Sequence, residues 1–216
     1  MDEKPVISII GGTGKLGTGL AKRLVLKGYE VILGSRDEER AVETAEEINE
    51  DFNVDLVRGM LNPQAAQAGD INILSVVQSA HEAALNALKE DLRGKILVDA
   101  TARITFPNPT PPEPPSAPRR AQTLLGGEVP VVAAFQNIAA QSLADVDKEI
   151  ESDVLVCADD QRSARTVMKV IEDLGMHAYY AGDLDAAIAV EGLTAILVNI
   201  NRHNEIDHAS IRITGE

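Results

Sequence analysis

Short apolar runs alternate with segments of helical spacing through the first half of the chain. Val6 to Ile10, Val31 to Leu33, Asp55 to Arg58, Ile71 to Val77 and Lys95 to Thr101 read as strands. Residues 18–24, 41–49, 63–68 and 81–89 read as helices between them, the third with Asn62 as its cap and Pro63 at its first position. Strands that are apolar throughout, separated by helices, predict a parallel sheet covered on both faces. The second half is mixed. A proline-rich stretch, Phe106 to Pro118, excludes regular helix or central strand and reads as a linker or a flap. A helix capped by Ser116 then runs to Leu125, and strands follow at Glu128 to Phe135 and Asp153 to Ala158. Asp159-Asp160 caps a helix from Gln161 to Leu174, His177 to Tyr180 is a short strand, and Ile211 to Ile213 is a terminal strand. The longest helical pattern, Leu184 to Arg202, is apolar on more faces than one surface requires. That predicts burial against both its own domain and a partner subunit.

The first strand opens into Gly12-Thr13-Gly14-Lys15-Leu16-Gly17 and then a helix. This is the context that gives a glycine triplet a dinucleotide-binding meaning: a tight turn, close approach of a pyrophosphate to the backbone, and close helix–strand packing. The helix N-terminus supplies free N–H groups and a partial positive charge. The expected fold class is therefore α/β, a Rossmann-type doubly wound parallel sheet with a small C-terminal α/β part. The expected division is a dinucleotide-binding domain over residues 1–140 and a smaller part over 141–216, or one continuous domain.

The end of the second strand selects the dinucleotide. An NAD site places a carboxylate there, whereas this chain has Gly34-Ser35-Arg36, with Arg40 a helical turn on. A guanidinium and a hydroxyl suit the 2′-phosphate of NADP(H). Ser75 to Gln78 and Ala100 to Ala102 follow strand ends and form candidate walls of the cleft.

Composition narrows the setting. The 216 residues carry a net charge of −14, which argues against nucleic-acid binding, and no apolar run is long enough to span a bilayer. One cysteine, Cys157, precludes an intrachain disulfide, favours the cytoplasm, and reads as a buried small residue. No metal-ligand spacing or nucleophile elbow appears, and the four histidines read as surface or packing residues. A reductase of carbonyls or imines needs a general acid, whereas hydride transfer between two bound cofactors needs mainly proximity and orientation. No catalytic side chain is therefore expected. Gln136 and Asn137 are placed to hydrogen-bond a heterocycle and Ile138 to pack on a ring face. An NADPH-dependent reductase of a carbonyl, an imine or another flavin remains open, as does a non-catalytic NADPH-binding redox sensor.

Gly11-Gly12-Thr13-Gly14-x-Leu16-Gly17, Gly34-Ser35-Arg36, Val132-Ala133-Ala134-Phe135, Val156-Cys157-Ala158-Asp159-Asp160, Glu191-x-Leu193-Thr194 and Leu197-x-Asn199 occur in that order. Together they resemble the NADPH-dependent coenzyme F420 reductases over nearly the whole chain. The resemblance implies a homodimer that passes hydride directly between the nicotinamide C4 and the deazaflavin C5. It implies nucleotide contacts at Thr13, Gly14, Lys15, Leu16, Ser35, Arg36 and Arg40, nicotinamide contacts at Val76, Ala102 and Ala140, and a deazaflavin lying on Gln136, Asn137 and Ile138. Gln136 stands where the family commonly has histidine, and Ala139 where it commonly has proline. The resemblance thus leaves coenzyme F420 or another flavin as the second substrate.

Overall fold

A computed structural model describes residues 4–215. Its centre is one eight-stranded sheet in the order β3-β2-β1-β4-β5-β6-β7-β8. The strands are β1 (Ile7–Ile10), β2 (Val31–Ser35), β3 (Val57–Leu61), β4 (Ile71–Leu74), β5 (Ile96–Asp99), β6 (Val131–Ala133), β7 (Val154–Ala158) and β8 (Ala178–Gly182). All neighbours are parallel except β6 and β7. The first six strands thus follow the doubly wound order, with the strand sequence reversing at β1 and β4.

Helices α1 (Lys15–Leu26), α2 (Glu38–Phe52), α3 (Asn62–Ala68), α4 (His81–Leu88), α5 (Ala117–Leu125), α6 (Ala140–Ala144), α7 (Gln161–Asp173) and α8 (Ala187–Asn204) cover the sheet. Two apolar cores result. One joins Leu20, Leu24, Ile48, Val167 and Ile171 to Ile9, Leu33 and Val156. The other joins Leu85, Leu88, Ala121, Leu125 and Val190 to Ile10, Ile32 and Leu97. Strands buried on both faces explain why the sequence shows apolar runs rather than alternation.

Ser116 caps α5, accepting from Arg119 N–H at 3.2 Å, and Asp160 caps α7, accepting from Ser163 N–H at 2.9 Å. Three expectations need correction. Asn62 is not the cap of α3. The helix begins at Asn62, with Leu61 in the cap position, and the Asn62 carboxamide turns away to accept the Gly11 N–H at 3.2 Å. Asp159 leaves capping to Asp160 and instead pairs with Arg119 at 2.5 Å. Ile211 to Ile213 is not a strand. The segment lies against residues 151–153, where Asp153 N–H donates to the Ile211 carbonyl at 2.9 Å and Ile213 N–H to the Asp153 carboxylate at 2.6 Å. With the Asp153 side chain standing in for a backbone partner, no ladder forms.

The proline-rich stretch is an extended strap on α8. Asn199 Nδ2 donates to the Pro109 carbonyl at 2.9 Å, Arg202 to the Pro107 carbonyl, and a Cβ on Gly192 would stand 3.1 Å from Pro111. Among the described residues no helix is long and apolar enough to cross a membrane.

Candidate functional site

Four loops leave the same edge of the sheet: 11–14 after β1, 75–78 after β4, 100–104 after β5 and 134–139 after β6. Their strands are parallel neighbours, so their C-terminal ends converge. In a doubly wound sheet ligands bind at this edge.

The glycines of the first loop differ in what the fold asks of them. Gly11 has φ +73° and sits against β4, where a Cβ would be 2.8 Å from the Ser75 carbonyl and 3.0 Å from Val76. Gly12 is hemmed in by the Ile9 carbonyl at 2.7 Å. A Cβ on Gly17 would lie 2.5 Å from the Gly12 carbonyl, so this glycine lets α1 close on the turn. Gly14 is different. Its Cβ would meet only the Gly11 carbonyl, at 3.5 Å, and the residue is exposed. No neighbouring atom excludes a side chain there, so the backbone at Gly14 is open to solvent.

Gly14 is also the N-cap of α1, and no side chain caps that end. Thr13 and Leu16 are half-buried beside it and Lys15 is exposed. A helix of twelve residues thus points an uncapped N-terminus at the open face of Gly14, the arrangement that binds phosphates. The Asn62 carboxamide supports the turn through Gly11 and packs on β2, 2.8 Å from where a Gly34 Cβ would stand.

At the end of β2, Ser35 is buried and its Oγ accepts the Asp37 N–H at 3.1 Å, leaving its own O–H to donate. Arg36 and Arg40 are exposed. Neither they nor Lys15 enter an ion pair among the described residues. In a chain with net charge −14, two unpaired guanidinium groups one helical turn apart beside the glycine turn suit a phosphate.

Val76, Ala102 and Ala140 are half-buried at the mouths of the other three loops. Ala140 begins α6, whose other end is held by Arg23, a buried residue of α1. Its guanidinium donates to the carbonyls of Leu143 (2.9 Å), Ser142 (2.9 Å), Asp145 (2.5 Å) and Lys148 (3.0 Å). Burial lowers its pKa from the ordinary arginine value, partly offset by Asp145. These bonds and the close packing of Gly19 on Leu143 lock α6 to α1.

Phe135, two residues beyond β6 and at φ +71°, starts the turn carrying Gln136, Asn137 and Ile138, all buried. Gln136 Nε2 donates to the Asp99 carbonyl at 2.8 Å and Asn137 Nδ2 to the Asp153 carbonyl at 2.7 Å. Their carboxamide oxygens have no protein partner. On α8, Thr194 Oγ1 donates to the Gln136 carbonyl at 2.8 Å. Each carboxamide donates one N–H to the protein and leaves its oxygen without a partner. A buried acceptor without a partner is costly unless a ligand supplies a donor.

Two polar pairs escaped sequence reading. His81, read from sequence as a surface or packing residue, has Nε2 2.7 Å from Asp99 Oδ2, both buried. Arg103 Nε lies 2.6 Å from Glu191 Oε1 at the strap. The signals were a carboxylate inside the apolar run Ile96 to Ala100 and another inside the apolar α8. Among the described residues no group of three or more His, Cys, Asp or Glu is arranged to hold a metal. Cys157 is fully buried, and burial with nearby Asp183 pushes its thiol up to about 11.

Residues 6–103 match the model of the family described as NADP oxidoreductase coenzyme F420-dependent. An F420-dependent NADP reductase of Methanothermobacter marburgensis is 37% identical over 218 residues, 96% of this chain and 97% of that protein. Another, from Methanocaldococcus jannaschii, is 34% identical over 225 residues, 96% of this chain and 97% of that protein. Among solved structures, a hypothetical protein from Sinorhizobium meliloti superposes with a TM-score of 0.71 at 24% identity, covering 85% of this chain and 87% of that one. An imine reductase from Streptomyces aurantiacus gives 0.60 at 21% identity, covering 91% of this chain and 60% of that one. These two likenesses concern the fold. Identity above one third along 96% of the chain carries more, and the chain belongs to the F420-dependent NADP reductase family.

Proposed function

We propose that this protein transfers a hydride between NADP(H) and the deazaflavin coenzyme F420. The observation that carries the reading is Gly14. An exposed glycine that no neighbouring atom crowds, on an uncapped helix N-terminus and near two unpaired arginines, fits a phosphorylated dinucleotide. Gly12, Thr13, Gly14, Lys15, Leu16 and Gly17 hold its pyrophosphate, and Ser35, Arg36 and Arg40 its 2′-phosphate. Val76, Ala102 and Ala140 flank the nicotinamide. The carboxamide oxygens of Gln136 and Asn137 accept from the N–H edge of the deazaflavin's pyrimidinedione, and Ile138 packs on its ring. When bound, NADPH supplies the hydride and the deazaflavin takes it. The chain's own work is to orient the two rings and keep water out.

Residues 1–140 form the dinucleotide half and 141–216 complete the second-ring site through α8. A homodimer is supported by α8, where Leu193, Ile196 and Ile200 recur at helical spacing and Ile196 is 48% exposed. A cytoplasmic location fits the single cysteine.

The test mixes purified protein, NADPH and oxidised coenzyme F420 and follows loss of the deazaflavin's visible absorbance. Turnover with NADPH well above that with NADH supports the reading. Turnover with FMN or a ketone but not with F420 overturns it, and tight NADPH binding without turnover of any acceptor makes the protein a sensor.

A further inference from the structure

Asp99 is the point where the walls of the cleft are joined, although it ends a buried strand and is itself fully buried. Its Oδ2 meets His81 Nε2 at 2.7 Å and its Oδ1 accepts the Thr101 N–H at 3.0 Å. Its main-chain carbonyl accepts Gln136 Nε2 at 2.8 Å. One residue thereby fixes the start of α4, the Thr101-Ala102 wall and the Gln136 turn. A second link runs parallel to it. Gln78, just ahead of α4, donates through Nε2 to the Ile104 carbonyl at 3.2 Å and accepts the Ile104 N–H through Oε1 at 3.0 Å.

A cavity of about 360 Å³ lies behind these links, lined by Gln78, His81, Thr101 and Arg103 among others. The ends of β4 and β5 are held by their ladder, with Leu74 opposite Asp99 and Ala100 N–H donating to the Leu74 carbonyl at 3.4 Å, so the two links act on the loops beyond it.

We propose that His81 and Asp99 form a positioning pair that sets the distance between the β4 and β5 walls, and through Gln136 the placement of the second ring against the nicotinamide. The inference rests on the hydride-transfer reading above. The pair touches neither substrate. It acts through Thr101 and Gln136, so its loss moves the reacting carbons apart while the phosphate grip at Gly14 and Arg36 stays intact. Small displacements of this kind slow a proximity-driven reaction by large factors.

The test compares wild type, His81→Ala and His81→Gln, the last returning an N–H donor near the Nε2 position. Steady-state kcat, KM for each substrate and NADPH affinity by fluorescence are measured well below the melting temperature. The expected result for His81→Ala is a kcat lower by about tenfold or more, with NADPH affinity within about twofold of wild type. His81→Gln recovers most of kcat. A His81→Ala protein that melts lower but keeps wild-type kcat overturns the proposal, as does a kcat that His81→Gln fails to raise. If His81→Ala does not fold, Gln78→Ala decides, because it removes the parallel link. Its kcat falls with NADPH affinity kept, or the proposal is wrong. Wild-type protein that binds NADPH but does not reduce F420 is a separate failure, that of the hydride-transfer reading.

Discussion

Arg103 and Glu191 form an ion pair, Nε to Oε1 at 2.6 Å, with the Glu191 side chain entirely out of solvent and Arg103 half-buried. Glu191 also accepts the backbone N–H groups of Arg103 and Ala117, each at 3.0 Å, while Arg103 Nη2 reaches the carbonyls of Glu113 and Pro115. The pair therefore ties α8, the β5 loop and the proline strap together. Glu191→Ala is expected to destabilise the protein by about 1–3 kcal/mol, the cost of leaving buried N–H donors without an acceptor, since Arg103 keeps some contact with solvent. Arg103→Met with Glu191→Leu is expected to recover only part of this, because the two backbone N–H groups still lack an acceptor. Urea unfolding of the three proteins measures both effects.

Gly14 and Gly17 separate ligand demands from fold demands. Gly14→Ala is expected to cost at most about 0.5–1 kcal/mol of stability, the penalty for alanine at a helix N-cap, since the new Cβ meets only the Gly11 carbonyl at 3.5 Å. NADPH affinity is expected to fall by about tenfold or more, or about 1.4 kcal/mol. Gly17→Ala is expected to destabilise the fold itself, its Cβ landing 2.5 Å from the Gly12 carbonyl. Paired melting curves and fluorescence titrations check the contrast.

Arg36→Ala is expected to weaken NADPH binding about tenfold and to leave NADH binding nearly unchanged. A loss shared equally by both nucleotides would mean that Arg36 does not read the 2′-phosphate.

Cys157 bears on alkaline stability. Its thiol is held up to about 11, above the ordinary cysteine value, by burial and by Asp183. Native protein at pH 8 is expected to resist iodoacetamide and to react once unfolded. The raised folded-state pKa favours the native state most below the unfolded thiol's pKa, and that advantage is lost as pH rises toward 11. Cys157→Ala is expected to show a flatter fall in stability over that window, as measured by urea titrations at several pH values.

The doubly wound half was legible because its strands are buried on both faces and its turns carry glycines with distinct steric duties. Strand ends were less so. Ile71 to Val77 was read as continuous, yet β4 stops at Leu74 and Val77 is 70% exposed. An apolar residue lining a ligand edge looks, in sequence, like the strand before it. Ser35, Arg36 and Arg40 were read from the end of the second strand, and Ser35 does end β2 with Arg36 and Arg40 just beyond it. The pairs His81–Asp99 and Arg103–Glu191 were not, because their partners lie 18 and 88 positions apart and meet only across the fold. Asn62 was misread for a related reason. An asparagine before proline has the form of a cap, and only the nearness of Gly11 shows where its side chain goes.

Direct transfer between the two rings is tested most closely by isotope. NADPH carrying deuterium at the transferring C4 position is mixed with oxidised coenzyme F420 and excess protein, and the reduced deazaflavin is examined by NMR or mass spectrometry. The expected result is one deuterium at C5 of the product and none in solvent. Deuterium lost to water, or NADPH left unoxidised in a protein that binds it tightly, would contradict a site built to hold the two rings in contact.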